Sequence, residues 1–321
     1  MAAPRNIALV AVAALAGAAA VAAQQAPVFR AGAQTVPVYV TVTGADGQLV
    51  TTLAKDDFQV FDNGLPQPIT VFESTVQPIR IVVMLDMSGS MVGNLPLLRS
   101  AAVQMFTHLL PGDLARVGSF GDRITVSPGW TRDENELIRT LYLDLKAGGP
   151  TPLWGAINVA MTTLAPHEGR RVVLVLSDGK DSSAGFRGGG RNAVTLDEVS
   201  ARAQADGFMI YGIGLASRSL PPGYSGRGAA MPPNYLGDAE PDPGLRRLAN
   251  ESGGGYVELK DAEHLGPAFT RVAEELHRQY LIGFSAPVLD GAVHRIDVRV
   301  RGPQLTPRAR RSYVARSQEA R

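Results

Sequence analysis

The sequence contains no cysteine, which excludes disulfide bridges, thiolate metal sites and a lipid-bearing cysteine behind a leader. At 321 residues it is long enough to rest on a buried core without such staples. It also lacks an excess of charge of either sign. The 31 Lys+Arg against 30 Asp+Glu leave a formal net charge of +1, so no long-range field selects nucleic acid or anionic lipid as a partner. The five histidines, His108, His167, His264, His277 and His294, are scattered without ligand spacing, which reads as surface and packing positions, not an imidazole metal cage. Beyond the first two dozen residues, no run reaches the roughly 17–25 apolar residues of a membrane span without a charge or a proline.

What is present begins with an export signal. Met1-Ala-Ala-Pro-Arg5 leads into the uncharged stretch Ile7–Ala22, which ends in small residues before Gln24-Gln25. Residues 1–23 therefore read as a signal peptide with a cleavage site at Ala20-Val21-Ala22 or Val21-Ala22-Ala23, the alternative being an uncleaved anchor. The expected destination is outside the cytoplasm: periplasm, cell surface or medium, with no stable membrane span after cleavage.

Hydrophobic periodicity divides the rest. Over residues 30–76, short alternating runs (Val36–Thr43, Phe58–Phe61, Ile69–Phe72) are separated by turn signals such as Asp62-Asn-Gly64. Over residues 279–316, Gln279–Phe284, His294–Arg301 and Arg311–Ala315 alternate in the same way. The two segments are expected to pair into one small antiparallel, β-sandwich-like module, with residues 79–278 inserted between them. That central part alternates apolar strands (Ile81–Leu85, Arg116–Phe120, Val172–Leu176, Phe208–Ile213, Tyr256–Leu259) with helices over 97–110, 134–145, 153–164, 196–206, 243–251 and 262–278. An α/β, three-layer, doubly wound and mostly parallel sheet is the expected fold. Two stretches, Ser182–Asn192 and Arg218–Gly244, are crowded with Gly or Pro and read as irregular surface loops. The first lacks the Gly-Lys-Ser/Thr ending of a phosphate cradle.

Chemistry concentrates where strands end. Ile81–Leu85 runs into Asp86-Met-Ser88-Gly-Ser90, where Asp86, Ser88 and Ser90 alternate and Gly89 is expected to let the loop curl. A second loop offers Thr151 just ahead of a helix, and a third offers Asp178 directly after Val172–Leu176 and Ser177. Asp181 lies close by and reads as a turn carboxylate. Carboxylates and hydroxyls without His or Cys suit a hard cation, Mg²⁺ first, with Ca²⁺ and Mn²⁺ as alternatives. The plainer reading is that Asp86, Ser90 and Thr151 cap helices and that Asp178-Gly179 is a turn.

Asp86-x-Ser88-x-Ser90, then Thr151, then Asp178 resembles the metal-ion-dependent adhesion site of von Willebrand factor A domains, with all five positions present. The flanking strands and Gln279-Tyr-Leu-Ile-Gly-Phe284 are similar to the bacterial, exported von Willebrand factor A-related proteins. The resemblance implies a Rossmann-like central domain in which the serines and the threonine contact the cation, the aspartates balance its charge, and an Asp or Glu side chain of a partner protein completes the shell. The threonine loop departs from those relatives. It continues Thr151-Pro-Leu-Trp-Gly155 where they often have Thr-x-Leu-Tyr-Asp, which removes one neighbouring carboxylate but none of the five ligand positions.

The function expected is an exported, non-enzymatic binding or adhesion module. The alternatives are a metal-assisted hydrolase or phosphatase with Asp86 as nucleophile, for which only Lys180 and Arg191 are available as phosphate clamps, and a metal-stabilised scaffold of an envelope assembly.

Overall fold

The computed structural model describes residues 34–143, 148–177, 181–182, 193–218, 238–239 and 241–316. The signal peptide expected over residues 1–23, Asp178, Lys180 and Arg191 lie outside the described residues. In chain order the elements are β1 (Thr35–Thr43), β2 (Phe58–Asp62), β3 (Leu65–Gln67), β4 (Val71–Glu73), β5 (Ile79–Asp86), α1 (Leu95–Thr107), β6 (Leu114–Phe120) and β7 (Thr125–Val126). There follow α2 (Glu134–Leu143), α3 (Leu153–Leu164), β8 (Arg170–Ser177), α4 (Leu196–Asp206), β9 (Met209–Leu215), β10 (Ser217–Arg218), β11 (Asp238–Ala239), α5 (Pro243–Ser252) and β12 (Tyr256–Leu259). The chain closes with α6 (Leu265–His277), β13 (Tyr280–Ser285), β14 (Val293–Val300), β15 (Thr306–Arg308) and β16 (Ser312–Val314).

The central sheet has the order β12-β9-β8-β5-β6-β7, parallel from β12 through β6, with β7 antiparallel at one edge. Its strands are β-branched and apolar along their length because both faces are covered. Ile81, Val83 and Leu85 pack with Leu98 and Met105 of α1, Leu137 of α2 and Phe269 of α6. Val82 and Met84 pack on the other side with Ile157 of α3, Val199 of α4 and Leu248 of α5. Successive strands after β5 are added first on the β6 side and then on the β8 side, so the crevice between the carboxyl ends of β5 and β8 is a topological switch point, where ligands of open α/β sheets bind.

Local chemistry sets the helix ends. Thr195 and Glu198 form a reciprocal capping box at the start of α4, which stops at Gly207 in the left-handed region. The helix expected over 262–278 divides into a 3-10 turn, Ala262–His264, and α6, with Pro267 in the first turn of α6 where no N–H partner is needed. The expectation of an irregular loop over Arg218–Gly244 is corrected where Ser217–Arg218 pairs with Asp238–Ala239. The helix expected from residue 243 is α5, its amino end capped by Asp242, which accepts from the Gly244 N–H at 2.7 Å. A proline at the first helical position favours that start, and a two-residue ribbon needs no hydrophobic run to announce it.

The terminal segments form two antiparallel sheets, β15-β1-β13-β4 and β16-β14-β2-β3. Alternate residues of β1, Val36, Val38, Val40 and Val42, face Phe58, Val60, Ile282, Phe284, Ile296 and Tyr313 in a core of their own. β3, β7 and β15, each of two or three residues, were not expected, being too short to show an alternation.

A buried polar network joins the sandwich to the central sheet. Glu275 of α6 accepts hydrogen bonds from Thr41 of β1 (3.0 Å), from Tyr211 of β9 and from Arg308 of β15. Gln279 donates to Thr41 (2.7 Å) and Tyr211 (3.0 Å), and Arg170, at the start of β8, donates to Gln279 and to the Leu276 carbonyl. Arg170 sits at the amino ends of the parallel strands, so the network lies opposite the carboxyl edge that carries Asp86.

A second buried group lies inside the sandwich. His294 is held between Asp62 (2.9 Å) and Asp290 (3.2 Å), with the Tyr313 hydroxyl donating to Asp62 (3.1 Å). Burial opposes protonation of His294, but the hydrogen bonds and charges of the two carboxylates outweigh it and raise its pKa above the ordinary 6.5.

Two outcomes follow from these groups. Glu275→Ala leaves Arg308 without its acid partner and is expected to lower the unfolding free energy by about 3 kcal/mol in urea titrations; a loss below about 1 kcal/mol contradicts the network's role. Because the folded pKa of His294 exceeds the unfolded one, its contribution is complete below 6.5 and fades as pH rises through the folded value. The parent should therefore lose more stability than His294→Gln as pH rises above the ordinary 6.5. Parallel pH profiles of the two proteins would refute this.

Candidate functional site

Asp86 is the last residue of β5 and has no solvent exposure. Its Oδ1 accepts the Ser88 N–H (2.9 Å) and its Oδ2 accepts the hydroxyl of Ser177 (2.5 Å), the last residue of β8. One carboxylate thus fixes both its own loop and the end of the neighbouring strand. The chain then turns into a 3-10 helix, Gly89–Asn94, which leaves the hydroxyls of buried Ser88 and exposed Ser90 3.1 Å apart.

The second loop docks against the first through its backbone. The Gly148 N–H donates to the Met87 carbonyl (2.8 Å), the Gly89 N–H donates to the Gly149 carbonyl (3.2 Å), and the Asp122 N–H donates to the Gly148 carbonyl (2.9 Å). Gly148 and Gly149 have φ of +129° and +86°, and a Cβ on Gly149 would stand 2.1 Å from Asp122 Oδ1 and 2.5 Å from the Asp122 nitrogen. The turn freedom expected of Gly89 resides here instead. Gly89 is not left-handed, and a Cβ on it would make only an ordinary 3.9 Å contact.

Thr151 ends this loop, 6 % exposed. Its N–H donates to the Ser182 hydroxyl (2.7 Å) and its carbonyl accepts the Ser182 N–H (3.0 Å). Ser177 and Ser182, which flank Asp178 in sequence, thus touch Asp86 and Thr151 respectively, while Asp178 itself is outside the described residues. Four of the five expected residues, Asp86, Ser88, Ser90 and Thr151, stand on loops that are hydrogen-bonded to one another.

The helix-capping alternative fails for the hydroxyls. Neither Ser88 at the 3-10 helix nor Asn94 at α1 makes a side-chain cap bond, and α3 begins after Pro152 with no side-chain cap. The donor set also suits a small hard cation. Two oxygens on adjacent vertices of an octahedron with bonds of 2.0–2.1 Å lie about 3 Å apart, the separation of the two serine hydroxyls. Among the described residues, which leave out Asp178, no group of three or more His, Cys, Asp or Glu gathers to hold a metal.

Residues 81–180 match the von Willebrand factor type A domain family. The chain thus carries a von Willebrand factor A-related domain. No curated protein matches it. Similar solved structures include a von Willebrand factor type A protein from Catenulispora acidiphila, 12 % identical over 89 % of this chain and 75 % of that one, TM-score 0.47. The von Willebrand factor domain of the type V pilus tip protein Mfa5 from Porphyromonas gingivalis is 13 % identical over 62 % and 95 %, TM-score 0.45. An aerotolerance-related membrane protein from Bacteroides fragilis is 18 % identical over 62 % and 98 %, TM-score 0.43. Likenesses at these scores say nothing of what this chain binds.

The sequence reading missed Ser177, Ser182 and the pair Gly121-Asp122. A signal existed for the last: Gly121-Asp122 follows β6, the third parallel strand ending at this edge, and a Cβ on Gly121 would stand 2.5 Å from the Gly148 carbonyl oxygen. Trp154, in the first turn of α3, is buried in the core, and Trp130 packs against Arg116 and His167. His277 and His294 are paired with Asp113 and Asp62.

Gly149→Ala forces a side chain into a left-handed backbone against Asp122, and should cost about 2 kcal/mol in denaturant unfolding. An unchanged midpoint would mean that this loop is not held as described.

Proposed function

We propose that the von Willebrand factor A-related domain holds a divalent cation on Ser88, Ser90 and Thr151, with Asp86 and Asp178 balancing its charge, and uses it to engage an acidic side chain of a partner protein. The observation that carries this reading is the pair of serine hydroxyls 3.1 Å apart beside a fully buried aspartate, on a loop bonded to the one that ends in Thr151. Both Asp86 oxygens already accept hydrogen bonds, so its charge acts on the cation from beside the shell. Neutral hydroxyls and water then make up most of that shell. A cation held this way keeps residual positive charge and exchangeable water, and a carboxylate is the hard anionic ligand best suited to displace it.

Mg²⁺ is the proposed ion, with Ca²⁺ and Mn²⁺ as alternatives. The proposed role is binding; turnover of a generic phosphate ester with Mg²⁺ that is lost in Asp86→Asn would favour the hydrolase alternative instead. The site faces away from the sandwich, which joins the central sheet at the opposite edge through Glu275 and Arg170. Leading residues 1–23 direct the chain out of the cytoplasm in this reading, to the periplasm, the cell surface or the medium. Among the described residues no helix is long and apolar enough to cross a membrane.

Millimolar Mg²⁺ should raise the melting temperature of the parent by mass action on the folded state, and Ser88→Ala and Asp178→Ala should abolish the shift. Capture of the partner by the parent should be lost in EDTA. Equal Mg²⁺ shifts in the parent and both variants would overturn the assignment.

A further inference from the structure

Thr151 is held in a way that its sequence neighbours cannot provide. Pro150 and Pro152 flank it, and a residue before a proline is confined to extended backbone, so its torsions are limited. Limited torsions do not fix a loop in place. A proline has no N–H to donate, and the bonds that dock this loop on the Asp86 loop come from Gly148 and Gly149, before Pro150. At the Thr151 end, the partner from outside the loop among the described residues is Ser182.

The clasp runs both ways. Ser182 accepts the Thr151 N–H on its hydroxyl (2.7 Å) and donates its own N–H to the Thr151 carbonyl (3.0 Å), which also accepts from Leu153 (2.9 Å). Both polar groups of the Thr151 backbone are thus occupied, while its hydroxyl makes no hydrogen bond among the described residues. In a β-branched residue χ1 is restricted, so a fixed backbone limits where that hydroxyl points. Ser182 itself is exposed and follows Ser177, whose hydroxyl is bonded to Asp86. The two serines therefore tie the third loop to the first at one point and to the second at another.

We propose that Ser182 is a positioning residue of the cation site, its hydroxyl holding Thr151 so that the threonine hydroxyl is aimed at the ion before the ion arrives. The inference rests on the reading of Ser88, Ser90 and Thr151 as ligands and deepens it. Ser182 acts through Thr151 and is not itself a ligand. Ligands oriented in advance lose less freedom on binding, and groups that orient them contribute about 10–100-fold in metal affinity. Replacing the Ser182 hydroxyl by hydrogen leaves the N–H of a nearly buried Thr151 without its acceptor and frees this end of the loop.

The test titrates Mn²⁺ into the full chain, stripped with EDTA and then dialysed, with the free ion read by electron paramagnetic resonance. The parent should show one saturable site that is lost in Ser88→Ala. Ser182→Ala should bind about tenfold more weakly, and Ser182→Thr, which keeps the hydroxyl, should bind like the parent. Because Ser182 is exposed, both variants should fold, and cation-free melting temperatures check this. A merely structural role would lower that temperature and leave the affinity of the folded protein alone. Equal affinity in Ser182→Ala and the parent, or an equal loss in Ser182→Ala and Ser182→Thr, overturns the positioning role and leaves the cation reading standing. No saturable site in the parent, or one that survives Ser88→Ala, overturns both.

Discussion

A carboxylate without solvent exposure, Asp86, joins the end of β5 to the end of β8, and the geometry of the carboxyl edge depends on it. Burying such a group costs several kcal/mol unless its oxygens are matched by donors. Ser88 and Ser177 supply those donors, one from the same loop and one from the adjacent strand. The consequence is positional. Once Asp86 is held, Ser88 and Ser90 turn back within 3.1 Å of each other, and the backbone bonds of Gly89 and Met87 to Gly149 and Gly148 bring the threonine loop against them.

The two ends of the central sheet do different work. At the amino ends of the strands, Glu275, Tyr211, Gln279, Arg170 and Arg308 form a closed polar network that fastens the sandwich. At the carboxyl ends, hydroxyls and a carboxylate stand on loops with glycines at left-handed φ. A closed polar network at one edge thus supports the sheet, while hydroxyls gathered around one buried carboxylate stand on loops at the other. Because parallel strands all end on one side, topology alone assigns Asp86, Ser177 and Asp122 to that side.

Much of this was legible in the residues. Central strands such as Val172–Leu176 were visible because a two-sided burial demands an uninterrupted apolar run, and α3 and α4 because their apolar residues recur at helical spacing. The pairing of the terminal segments followed from their period-two alternation. The hydroxyl loop was legible from Asp86, Ser88, Ser90 and Thr151, each next to a strand end or helix start. What escaped was whatever depends on tertiary approach. Gly89 was credited with the turn that Gly148 and Gly149 make, since φ is set by the docking against Asp122 and not by local sequence. Ser177, the Tyr211–Glu275 contact and the His294–Asp62 pair carry no local signature, because the partners lie 91, 64 and 232 residues apart in sequence. The ribbon of β10 and β11 is too short for any periodicity to announce.

The most direct measurement is a crystal structure of the protein grown with Mn²⁺, with data collected at a wavelength where manganese scatters anomalously. The account predicts one anomalous peak about 2 Å from the hydroxyl oxygens of both Ser88 and Ser90, beyond the carboxyl ends of β5 and β8. Well-ordered loops with no peak there at saturating Mn²⁺, or serine side chains turned apart, would contradict it.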